Sequence, residues 1–112
     1  MAFVRKLDGR MEKRLSIAIV VRLTRSGDLS PRSPGAIELT YTDNVSAHGA
    51  CVISRRPWRL GEIVEVTALE DEVPLRGKVV HCHKHTDDHY LVGLAFNRNQ
   101  VTWSRYHRYA RT

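Results

Sequence analysis

Apolar and polar residues alternate one for one along much of this chain. In LSIAIVVRL, residues 15–23, Leu15, Ile17, Ile19, Val21 and Leu23 fall on one face, with Ser16, Ala18 and Arg22 on the other. A period of two is that of a half-buried strand. Stretches of the same kind, rich in Val, Ile, Leu or Tyr, recur at about 36–42, 50–54, 62–69, 74–84 and 89–96, separated by Gly, Pro, Asn or Asp. Six strands in 112 residues predict an all-β fold, a small six-stranded antiparallel barrel or sandwich. Closure into a barrel also removes exposed strand edges.

Two segments break the alternation. TRSGDLSPRSPG, residues 24–35, has the Gly, Ser and Pro content of a mobile connection, and its Arg25 and Arg32 can help hold an anion. In NRNQVTWSRYHRYART, residues 97–112, Trp103, Tyr106 and Ala110 take helical spacing with Arg105 and Arg108 on the polar side. A short terminal helix is predicted, capped by Asn97 or Asn99, with its aromatics covering one open end of the barrel.

A 42% hydrophobic content over this length fits one domain with one modest core. The net charge of +6 favours an anionic partner without choosing among nucleotide, nucleic acid and acidic membrane. Residues 1–14 carry five basic and two acidic side chains and residues 98–112 carry four arginines, whereas 62–72 holds five acids and no base. An anion site is therefore expected away from 62–72. There is no signal-peptide core and no run of about 20 apolar residues, so the expectation is a cytoplasmic protein. Cys51 and Cys82 lie in strands without CxxC spacing and are expected to be reduced and structural.

Two short motifs carry candidate chemistry. In RMEKR, Arg10 and Arg14 stand four apart before the first strand. The planar guanidinium fork can donate two hydrogen bonds to guanine O6 and N7 and can stack on the ring, so such a pair is able to clamp a nucleotide. In NVSAHG, between the second and third strands, Asn44, Ser46 and Gly49 combine polar donors and acceptors with a glycine that permits positive φ or close approach to the backbone. By local chemistry the second motif is a turn.

Taken together, RxxxR followed some thirty residues later by [D/N]xSxxG resembles the PilZ domain, a bacterial receptor for cyclic di-GMP, and VGLAF, residues 92–96, looks like that family's last strand. The resemblance implies a single PilZ domain: a flexible segment 1–14 bearing RxxxR, then a barrel with a C-terminal helix over 15–112. It implies that Arg10 and Arg14 pair with guanine Hoogsteen edges and phosphates. Asn44 would accept from guanine N1 or N2, Ser46 would bond base or phosphate, and Gly49 would keep the turn tight beneath the ligand. Binding would order the arginine segment against the barrel and change the surface offered to a downstream protein partner.

Many members have a further arginine before RxxxR, where this chain has Gly9, which leaves room for a stacked ligand dimer but removes a positive contact. Asp43 is a turn residue or helper, since only Asn44 has the two-residue spacing to Ser46, and His48 is expected to face solvent. A rival site is HCHKHTDDHY, where alternation places His81, His83 and His85 on one face. Three ligands in a row on one strand diverge more than a tetrahedral metal site wants, so an exposed hairpin is the default and no metal or cofactor is assigned. Two other readings remain: a PilZ-like interaction module that binds no nucleotide, and a basic barrel binding RNA or single-stranded DNA through Trp103, Tyr106 and Tyr109, which fit a helix better than a stacking platform. No nucleophile, base and acid constellation suggests an enzyme.

Overall fold

In the computed structural model, which describes residues 12–25, 37–97 and 99–110, the alternating stretches become six strands. These are β1 (Val20–Arg25), β2 (Ile37–Ser46), β3 (Gly49–Ser54), β4 (Ile63–Ala68), β5 (Val73–Thr86) and β6 (His89–Ala95). They pair antiparallel in the order β1-β2-β3-β6-β5-β4, and β4 returns to β1 to close the barrel. The expected barrel is therefore what forms, and the sandwich is excluded.

The wall formed by β1, β4 and β5 is regular, with unbroken register from Val21↔Ala68 to Arg25↔Val64 and from Ile63↔Lys78 to Ala68↔Val73. Strict alternation sends Val21, Leu23, Val64, Val66, Ala68, Leu75 and Val79 inward, and all are buried. Each of the valines and leucines contributes roughly 1.5–3 kcal/mol when fully removed from water.

The other wall is irregular at three places. Register shifts between Thr42 and Asn44 on β2, so Asp43 is an extra residue, and between Val79 and His81 on β5, so Val80 is another. A β-bulge breaks the alternation and re-aims the side chains beyond it. Thr42 and Val45 both lie in the interior while Asn44 points outward opposite Cys51. On β5, Val79 is inside, His81 lies outward opposite Gly93, and Cys82 packs against the core opposite Val92. A third shift between Lys84 and Thr86 makes His85 an extra residue.

Several predicted boundaries are corrected. The first strand starts at Val20 and not Leu15, because beside the β2 bulge the ladder is carried by a side chain. Thr42 Oγ1 accepts from Ile19 N at 2.9 Å and donates to the Ile17 carbonyl at 2.7 Å. Leu15 and Val45 form an isolated bridge before it. β2 runs to Ser46 rather than stopping near 42, so Asn44 and Ser46 belong to a strand and the turn shrinks to Ala47 and His48. Arg25 is engaged, its guanidinium 4.2 Å over the Trp58 ring and its Nε 3.3 Å from Glu62. Arg32 lies outside the described residues.

The terminal helix, α1 (Ser104–Ala110), begins later than Asn97 or Asn99 would cap it. Asn97 instead takes a positive φ of 54° in the turn after β6. The cap comes from the β4–β5 turn: Asp71 accepts from the Ser104 amide at 2.9 Å and from its hydroxyl, satisfying an end amide with an acid. Trp103 is fully buried edge-on to Phe96 at 6.1 Å, and Tyr106 joins the same core cluster. Val101 N to the Ala47 carbonyl, 2.8 Å, and Phe96 N to the His48 carbonyl, 2.9 Å, tie this segment to the β2–β3 turn. Among the described residues no helix is long and apolar enough to cross a membrane.

Candidate functional site

The two motifs meet. Arg14, just before the Leu15–Val45 bridge, donates from Nη1 to Asn44 Oδ1 at 2.5 Å across thirty residues of sequence. Asn44 Nδ2 donates to Asp43 Oδ2 at 2.9 Å, so the bulged residue holds the amide with its oxygen toward the arginine. Asp43 thus does two things: its backbone turns Asn44 outward and its side chain orients it. Arg10 and Gly9 lie outside the described residues.

A second set of contacts sets the arm on the β2–β3 turn. Glu12 Oε1 accepts from the His48 amide at 3.2 Å, and Oε2 meets His48 Nδ1. Burial alone would push the Glu12 carboxyl up. Hydrogen bonds from the His48 ring, the Ser46 hydroxyl and the His48 amide, with the charge of His48, outweigh it and hold the carboxyl below its ordinary range. The Tyr106 phenol is pushed up by burial and by the Glu12 charge, so the carboxylate also lies within electrical reach of α1. His48, expected to face solvent, is half-buried and holds this carboxylate.

Ser46 is only 4% exposed, its hydroxyl 3.4 Å from the Gly49 carbonyl. Gly49 is needed for close approach and not for positive φ, which among the described glycines only Gly61 adopts. A Cβ on Gly49 would lie 2.8 Å from the Leu94 carbonyl oxygen of the neighbouring strand.

From Asn44 the outer face continues strand by strand. Asn44 pairs with Cys51, Cys51 with Gly93, and Gly93 with His81. Three strand spacings give this row a length of about 14 Å. Cys51 is 6% exposed, and its thiol is pushed up to about 11 by burial and by Asp43, against the opposing pull of Arg14, so it stays protonated. His81 is held below its ordinary value by burial, by His83 and by Arg14. The Arg14 charge is therefore felt at both Cys51 and His81. His81 and His83 stack with ring centroids 4.8 Å apart. The predicted trio of imidazoles on one face is reduced to this pair, because the bulge at His85 takes the third out of alternation. Among the described residues no cluster of three metal-ligating side chains forms.

Comparison with known families bears on this arrangement directly: the PilZ domain family matches residues 8–109, nearly the whole chain and both motifs. The chain belongs to the PilZ domain family. PilZ domains in general are cyclic di-GMP receptors and typically binding or adaptor modules. No curated protein sequence matches the chain. Of the residues singled out in this PilZ sequence, Arg14, Asn44, Ser46 and Gly49 are brought within one turn-and-strand unit. Sequence reasoning passed over Glu12 and Gly93, read Cys51 as structural only, and set His81 and His83 aside as a metal question. Glu12 sits inside RxxxR opposite His48 inside the second motif, but nothing in either motif signals that the two meet.

Proposed function

We propose that this PilZ domain is a cytoplasmic, non-enzymatic receptor for cyclic di-GMP, with Arg10, Arg14, Asn44, Ser46 and Gly49 as its ligand-binding residues. The observation that supports it most is the Arg14–Asn44 hydrogen bond, which holds a cationic fork and an outward amide oxygen side by side on the barrel surface. In this reading Arg14 and Arg10 donate to guanine Hoogsteen edges and phosphates in charge-assisted pairs. The Asn44 oxygen, released from Arg14, accepts from guanine N1 or N2. Ser46 bonds base or phosphate where the arm moves off it, and Gly49 keeps the turn against β6. Ligand contacts draw the arginine segment onto the barrel face, and the changed surface is what a partner protein reads.

Calorimetry with cyclic di-GMP at moderate salt tests this. Saturable binding is expected, with Arg10→Ala and Arg14→Ala each weakening it by about 30-fold, as for loss of a charged hydrogen-bonding group of about 2 kcal/mol. Arginine variants that bind as well as wild type would overturn the assignment. Absence of wild-type binding would leave an interaction module, and polyanion binding that cyclic di-GMP does not displace would point to nucleic acid.

A further inference from the structure

We propose that the stacked imidazoles of His81 and His83 form a nucleobase platform at the far end of the same site, so that one purine of the ligand stacks there while the Arg14 end holds the other. The inference rests on the cyclic di-GMP reading above and concerns how that site is completed.

Four observations support it. The row Asn44–Cys51–Gly93–His81 is continuous across four paired strands on one face, and its length of about 14 Å suits a dinucleotide better than a single nucleotide. Its middle carries small residues, Cys51 and Gly93, and the His81 ring lies directly over Gly93. A Cβ on Gly93 would run into the His81 ring, so the glycine is what lets the imidazole lie over the sheet. The bulge at Val80 is what brings His81 outward, since simple alternation from Leu75 and Val79 would have sent it into the core. His81 Nδ1 is buried yet has no hydrogen-bond partner among the described residues, an unmet polar group at the edge of the row.

Stacking on flat side chains is a sequence-tolerant way to hold a base, and an imidazole adds a charge that can be switched. The charged groups that act on His81 are His83 from its own strand and Arg14 from the arm, with Cys51 of β3 next along the row. β6 supplies Gly93 and Leu91, neither of which titrates. The protonated Cys51 thiol carries no charge, so burial first, then His83 and Arg14, set the balance. In the free protein that balance keeps the His81 imidazole neutral near pH 7. A ligand with two phosphate charges favours the imidazolium, which raises the His81 pKa in the complex. By linkage, affinity grows as pH falls through that raised value and levels off below the free-protein value.

The test is calorimetry with cyclic di-GMP at pH 8, 7 and 6 on wild type, Arg14→Ala, His81→Ala and His81→Phe, with circular dichroism to confirm folding. His81→Ala is expected to weaken binding about tenfold at pH 7, the loss of one stacking contact. His81→Phe keeps affinity within about threefold while losing the tightening at low pH, which in wild type reaches up to about tenfold for a one-unit pKa rise. If Arg14→Ala loses binding but His81→Ala binds as wild type, the platform is wrong and the receptor reading stands. A wild-type pH slope preserved in His81→Phe would overturn the role of His81 protonation. No wild-type binding at all would overturn both readings.

Discussion

The two walls of this barrel obey different rules. Across β1, β4 and the facing part of β5 the pleat is uninterrupted, and alternate side chains from Val21 to Leu23, Val64 to Ala68 and Leu75 to Val79 are buried. Across β2, β3, β6 and β5 the same period is reset at Asp43 and at Val80, and the residues released outward are Asn44 and His81, the two ends of the polar row. The regular wall stabilises, and the bulged wall presents. Inserting one residue into a strand is a cheap way to do both in one small sheet, because the interior set stays intact on either side of the extra residue.

That contrast makes single-residue deletions the sharpest probe. Removing Glu65, an exposed residue of the regular wall, shifts the pleat so that Val64 or the pair Val66 and Ala68 must turn to solvent. Several buried side chains at roughly 1.5–3 kcal/mol each use up much of the 5–15 kcal/mol by which domains are stable. The expected result is loss of the cooperative unfolding transition in urea. Removing Val80, which is itself exposed, restores plain alternation with Val79 in, His81 out and Cys82 in. A folded barrel with a modest fall in Tm is expected, and equal damage from both deletions would break the comparison.

A second pair of variants separates scaffold from site within the bulged wall. At Gly49 an added Cβ meets the Leu94 carbonyl oxygen, which belongs to the neighbouring strand and cannot swing away. Gly49→Ala should destabilise by about 1–3 kcal/mol, measured as a lower urea midpoint. At Gly93 the atoms nearest the added one are those of the His81 ring, the far end of a side chain. Gly93→Ala should leave the urea midpoint within about 0.5 kcal/mol of wild type while displacing the imidazole, seen as a shift of its NMR resonances.

These contrasts also explain what could be read from the chain. The barrel was legible because inward residues recur at every second position in LSIAIVVRL and in VEVTA. The motif residues were legible by spacing, but their placement was not. Whether NVSAHG is turn or strand depends on the bulge at Asp43, and a bulge is settled by the partner strand, not by local composition. The histidines of β5 were misjudged for the same reason: simple alternation put three on one face, and the extra residue His85 removed one. The helix cap was missed because Asp71 reaches it from another part of the chain. The contact between Glu12 and His48 likewise joins residues 36 apart.

The smallest expected effect concerns that contact, which holds the arm to the bulged wall. The folded-state pKa of Glu12 lies below its ordinary value of 4.5 because His48 and Ser46 favour the carboxylate over the burial that opposes it. A depressed carboxyl pKa contributes stability that is fully present above the unfolded value and is lost as pH falls through the folded one. The loss therefore falls below about pH 4.5, and it should be modest, under about 1 kcal/mol, since the Glu12 side chain is still 30% exposed and screened by water. Urea midpoints of wild type and Glu12→Gln at pH 6, 4 and 3 measure it: the difference present at pH 6 should shrink as pH falls below about 4.5. A difference that persists unchanged at pH 3 would mean that Glu12 holds the arm through packing rather than charge.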